Sequence, residues 1–160
     1  LENNHTLRSL RYTLDLSEAR IVHVLQLANY TLDKETVARL LLREDEVDYL
    51  PCSDEVMAHF LAGLVTLKRG VSDTHPPRPV EPYISNNVVL KKLRVAFELK
   101  EDDLHAIMRG AGFPLSKPEL SALFRQEGQK NFRPCGDQIL RNFLRGLTMR
   151  LQGNAVALPG

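Results

Sequence analysis

Two stretches of this chain, YLPCSDEVMAHFLAGL at residues 49–64 and FRPCGDQILRNFLRGL at residues 132–147, both read Pro-Cys-x-Asp and then Phe-Leu-x-Gly-Leu. They are part of a longer register. Sliding the sequence by 83 residues without a gap places Asn3-Asn4 on Asn86-Asn87, Leu7 on Leu90, Leu10 on Leu93 and Arg11 on Arg94. The same shift pairs Leu16 with Leu99, Glu18 with Glu101, Lys34 with Lys117, Leu40 with Leu123, Glu44 with Glu127 and Gly70 with Gly153. About 20 of some 68 positions are identical, and an ungapped match of that length marks a tandem duplication. No other feature constrains the fold as much, because whatever one copy becomes the other must become as well. A unit of roughly 70 residues also has a marginal core alone. The apolar faces of the copies are therefore expected to pack on each other, within the chain or across a homodimer.

The register divides the chain into a first helical repeat at 1–70, a connector at 71–85, a second repeat at 86–153 and a short tail at 154–160. Pro76, Pro77, Pro79 and Pro82 fall in the connector. They remove backbone donors and hold φ, so this segment reads as an extended, proline-rich linker. Its Pro-x-x-Pro spacing is also one that an SH3-type groove reads.

Each copy reads as four helices, giving an all-α protein of about eight. Asn3-Asn4 supplies an N-cap signal ahead of Leu7, Leu10 and Leu14 at helical spacing. A second helix runs from about Ser17 to Ala28 and stops near Asn29, or near Gly112 in the second copy, both suited to a left-handed cap. The third starts at Asp33, or at Ser116 with Pro118 in the first turn and Glu119 closing a capping box. The fourth is the repeated stretch, capped at Ser53 and Gly136, with Asp54 and Asp137 in its first turn. Met57, Phe60, Leu61 and Leu64 line its apolar face. Gly63 and Gly146 fall in mid-helix, at a cost of about 1 kcal/mol each against Ala, which points to a close helix crossing.

No catalytic or metal constellation is legible, and no cofactor is implied. Cys52 and Cys135 read as small buried residues at helix starts, since no His or Cys lies at metal-ligand spacing in both copies. The acidic run EDEVDYLPCSDEV puts Val47 and Tyr49 where a calcium loop needs oxygen ligands. No His is shared between the copies, and there is neither a nucleophile elbow nor a phosphate loop. The charged residues that do recur, Arg11 with Asp54 and Arg94 with Asp137, read as structural ion pairs tying first helix to fourth, because buried charges persist when paired.

The surface chemistry is asymmetric. Residues 3–70 carry 8 Lys and Arg against 10 Asp and Glu, and residues 86–153 carry 12 against 7. Lys91, Lys92, Lys117, Arg125, Arg133, Arg141 and Arg145 form a candidate surface for nucleic acid or an acidic partner. Arg141 and Arg145 are i,i+4 neighbours where the first copy has Ala58 and Ala62. The stretches IVHVLQLANYTLDKETVARLLLR and LHAIMRGAGFPLSKPELSALFRQ each have the helix–turn–helix outline, with Lys34, Arg39 and Arg43, or Lys117, Ser121 and Arg125, on the second helix.

No apolar run approaches the length of a membrane span, no signal peptide is evident, and two cysteines make no disulfide framework, so the expected setting is the cytoplasm. NNHTLRSLRYTL, NNVVLKKLRVAFELKEDD and KNFRPCGDQILRNFLRGL resemble the YehS-like family of bacterial proteins, which carry a duplicated domain of unknown function. The resemblance implies a small bacterial protein of this two-copy form and carries no site residues with it. The leading expectation is a non-enzymatic helical module for a protein partner. The alternative is a regulator that binds DNA or RNA through its second repeat.

Overall fold

The computed structural model describes residues 1–70 and 80–153. The Pro-x-x-Pro reading of the connector and the tail at 154–160 lie outside the described residues. Among the described residues eight α-helices follow one another: α1 (Asn3–Leu14), α2 (Glu18–Leu27), α3 (Lys34–Leu40) and α4 (Asp54–Arg69), then α5 (Asn86–Ala96), α6 (Glu101–Gly110), α7 (Lys117–Leu123) and α8 (Asp137–Leu151). No strand occurs among the described residues. The duplication is as plain in the backbone as in the sequence. Left-handed φ angles fall at Asp15 and Glu98, Asn29 and Gly112, Asp48 and Asn131, and Gly70 and Gly153, each pair one repeat apart. Only the last pair keeps the same residue, so the chain reversals outlasted the side chains that favoured them.

Local chemistry explains most helix ends. The hydroxyls of Ser17 and Ser53 accept the backbone N–H groups of Arg20 and Val56, and the carboxylate of Asp33 accepts that of Thr36. Ser116 and Glu119 close the expected capping box. Asn3-Asn4 is the exception. Helix α1 already includes both residues, and Glu2 occupies the cap position without a side-chain bond. In the second copy Ser85 caps instead, accepting from Val88.

What Asn4 does is bind the loop between α3 and α4. Its amide donates to the carbonyls of Leu40 and Leu50 and accepts the N–H of Cys52 at 2.8 Å. Asn87 makes the same three bonds to Leu123, Arg133 and Cys135. Both side chains are buried. A loop that dips into the core carries backbone groups that must be satisfied, and an asparagine offers two donors and one acceptor in one plane.

The copies share a single core. Helix α2 lies across α4, and α6 across α8, within each repeat, while α4 packs on α5 and α1 on α8 between repeats. Phe60, Leu61 and Leu64 join Leu90, Leu93 and Phe143 in one buried cluster. The expected packing of copy on copy therefore occurs within the chain. Gly63 and Gly146 make the intra-repeat crossings possible. A Cβ on Gly63 would lie 1.9 Å from the Val24 carbonyl oxygen, and one on Gly146 2.3 Å from that of Ile107.

Candidate functional site

The expected pairing of Arg11 with Asp54, and of Arg94 with Asp137, is not what forms. Asp54 accepts from the Asn3 side chain at 2.8 Å, and Asp137 from Asn86 at 2.8 Å. Arg11 lies eight residues farther along the same helix, about 12 Å up its axis, and cannot reach back. Its guanidinium instead donates to the Leu16 carbonyl after the chain reverses at Asp15, as Arg94 does to Leu99. These shared polar residues are helix-end fittings.

The two inter-repeat seams are related by the duplication, and they differ. Where α4 meets α5, Ala58 and Leu61 are buried beside Val89 and Ala96, and the contact is apolar. The equivalent positions where α8 meets α1 hold Arg141, Leu144, Thr6 and Thr13. Thr13 and Thr148 meet there hydroxyl to hydroxyl at 2.6 Å, and one of them also donates to the carbonyl one turn back in its own helix. Large cationic side chains at positions that the first copy gives to alanine cannot fold inward, so this seam stands open.

The opening is a cleft of about 510 Å³. Helix α1 contributes His5, Arg8, Ser9 and Tyr12, helix α8 contributes Arg141, Leu144 and Arg145 above Thr148, and Arg43 enters from the loop after α3. Arg8 is steadied by donating to the Leu42 carbonyl at 3.1 Å. Arg43, Arg141 and Arg145 are exposed and make no ion pair among the described residues. The lining includes no carboxylate. His5 registers the field: partial burial, then the nearby Arg8 and Arg141 charges, lower its pKa below 6.5, against a smaller opposing pull from Asp137. A cleft whose lining gathers four arginines, with Asp137 only at its margin, favours an anion.

Of the sequence-predicted surface, Arg141 and Arg145 reach the cleft. The others do not line it. Lys92 faces Glu81 at 3.9 Å, and Arg133 faces Glu119 at 3.4 Å. Lys91 is half-buried on α5, Lys117 is exposed at the start of α7, and Arg125 is exposed in the loop after it. The second helices of the two helix–turn–helix outlines, α3 and α7, are seven residues each. Arg39 folds onto the Asp48 carbonyl at 3.0 Å, and Arg43 turns into the cleft. The residues missed from sequence are His5, Arg8 and Tyr12, all in the acidic copy, while Arg43, read there as part of a helix–turn–helix outline, lines this cleft instead. For His5 and Tyr12 the signal was the mismatch at equivalent positions, Val88 and Val95, while Arg8 faces Lys91 there and gave none.

Burial settles the cysteines. Both are free and buried, and the thiol of Cys52 is pushed up to about 12 by burial and then by the Asp54 charge. That of Cys135 is pushed up to about 11 by burial, in spite of Arg133. Neither is a nucleophile at neutral pH. No helix of the described residues is long and apolar enough to cross a membrane.

A family described as "Protein of unknown function (DUF1456)" matches residues 3–70 and again residues 86–153. The chain is 46% identical over 148 residues to the uncharacterized protein YehS of Escherichia coli (strain K12), a match that covers 92% of this chain and 95% of that protein. No solved structure matches the chain.

Proposed function

The chain belongs to the DUF1456 family, and from that premise we propose that it is a non-enzymatic binding protein whose arginine cleft takes the phosphate backbone of a nucleic acid. The observation that supports this is the open seam, where Arg8, Arg43, Arg141 and Arg145 line one cleft whose lining holds no carboxylate, with Asp137 one turn from Arg141 and Glu46 beside Arg43 at its margin. Arginine holds its charge at any physiological pH and offers a planar fork of donors that suits phosphate oxygens. It is a poor general base, and a lining so dominated by it suits binding better than proton transfer. Free, buried thiols favour a reducing compartment, and we place the protein in the cytoplasm.

Fluorescence anisotropy with labelled DNA and RNA oligonucleotides at low and moderate salt tests this reading. Three or four phosphate contacts give a log–log salt slope of about −2 to −4. The double charge reversal R141E/R145E abolishes binding without unfolding the chain, since both side chains are exposed. Flat anisotropy at both salts refutes a nucleic-acid role. The cleft would then be a docking surface for an acidic protein segment.

A further inference from the structure

Tyr12 divides the groove in two. Its ring is 65% exposed on α1, and together with Arg8 and Thr13 it lines both the arginine cleft and a second hollow of about 880 Å³ beside it. The second hollow differs in chemistry. Leu14 and Leu151 supply apolar surface, Asp15, Ser17 and Gln152 supply hydrogen-bonding groups of both kinds, and Arg11 adds one cation beside the Asp15 carboxylate. So one side of the tyrosine gathers four arginines without a carboxylate in its lining, and the other mixes apolar surface with polar groups of both signs.

We propose that the two hollows accept a single-stranded nucleic acid, its phosphates among Arg8, Arg141 and Arg145 and an unpaired base stacked on Tyr12 above the Leu151 shelf. This deepens the reading of the cleft given above and rests on it. A nucleotide is itself divided into an anionic end and a flat, apolar-faced, hydrogen-bonding end, and the groove is divided in the same way. An exposed aromatic ring beside a basic track is the arrangement that binds single strands without demanding a sequence. A duplex cannot use it, because its bases are already stacked and paired. The duplicated seam holds the control within the molecule. Val95 stands in Tyr12's place there, Ala58 and Ala62 stand in place of Arg141 and Arg145, and of the three arginines only Arg8 has a basic counterpart, Lys91.

The test is anisotropy with a labelled 12-mer single strand and the same sequence as a duplex, on wild type, Tyr12→Ala, Tyr12→Phe and R141E/R145E. The single strand is expected to bind more tightly than the duplex. Tyr12→Ala is expected to weaken single-strand binding about tenfold, the scale of one lost stacked base. Tyr12→Phe should keep the affinity, and the salt slope should stay the same in both variants, because tyrosine carries no phosphate charge. Equal affinity for duplex and single strand, or single-strand binding indifferent to Tyr12→Ala, overturns the stacking inference and leaves the arginine cleft standing. Binding of neither nucleic acid by the wild type, or binding indifferent to R141E/R145E, overturns both.

Discussion

The side chain of Asn4 holds the backbone N–H of Cys52 at 2.8 Å, and Asn87 holds that of Cys135 at 2.9 Å. Each asparagine joins the first turn of one helix to the residue two places before another helix begins. Each thereby sets where the fourth helix of its repeat enters the core. Replacing Asn4 by Ala strands two carbonyls and one N–H, at roughly 1–3 kcal/mol apiece. Asn4→Ala should therefore lower unfolding stability by about 3 kcal/mol or more in urea denaturation. Asn4→Asp, nearly the same shape, should cost at least as much, because a carboxylate cannot donate to the Leu40 and Leu50 carbonyls. Asn3→Ala, which removes only part-buried bonds, should cost less.

Gly63→Ala and Gly146→Ala should each destabilise by about 3 kcal/mol or more, since the new methyl meets a backbone carbonyl rather than a movable side chain. Gly110→Ala is the control. It ends α6 with nothing within 4 Å of its Cβ position, and it should be neutral or stabilising by up to about 1 kcal/mol. Thermal unfolding of the three variants separates a close crossing from a general dislike of alanine.

At the start of its fourth helix the second copy lacks the cap that the first copy has. Ser53 accepts from Val56 at 3.1 Å, while Gly136 in the same extended conformation offers nothing to α8, and a Cβ there meets no atom within 4 Å. Gly136→Ser should add about 0.5 kcal/mol, read as a small rise in Tm. Ser53→Gly should lose a similar amount.

The buried thiols carry an alkaline signature. Folding raises both above the ordinary thiol value of 9. The unfolded chain therefore releases these protons first. The stabilisation is complete below pH 9 and declines as pH climbs toward the folded values, by roughly 1 kcal/mol per pH unit for each thiol. Urea midpoints measured from pH 8 to pH 10.5 should fall more steeply for the wild type than for Cys52→Ala with Cys135→Ala. Equal slopes would show that the thiols ionise in the fold.

His5 reports the field of the arginine cleft. Its pKa lies below 6.5, lowered by burial and by Arg8 and Arg141, so the imidazole is largely neutral at pH 7. Because the unfolded chain binds this proton more readily, protonation of His5 counts against stability as pH drops below 6.5. Arg141→Ala should move the NMR titration midpoint of the His5 ring upward, and bound polyanion should move it farther in the same direction. Acidification through this range adds a cation to the cleft, so nucleic-acid affinity should rise as pH falls.

The helices, their order and most of their caps were legible because they rest on short-range chemistry. Ser116, Pro118 and Glu119 announce a capping box in any context, and a glycine kept in mid-helix at Gly63 and Gly146 announces a close approach. The roles of Asn4 and Arg11 were not legible in the same way. An asparagine ahead of a helix is as good a cap as a latch, and the choice depends on a loop more than 30 residues away. Arg11 and Asp54 looked like partners because both recur in the second copy, and distance along the helix ruled them out.

By itself the sequence determined that this is a duplicated all-α chain, since a repeat at constant offset and a helical period of apolar residues are local or translational patterns. Only the tertiary structure decided which helices meet between the copies, and hence that one seam closes on alanines while its counterpart opens on arginines. His5, Arg8 and Tyr12 come from one repeat and Arg141 and Arg145 from the other, and nothing in their spacing along the chain says that they share a cleft. Their proximity follows from the burial of two marginal cores against each other, which is a property of the packed whole.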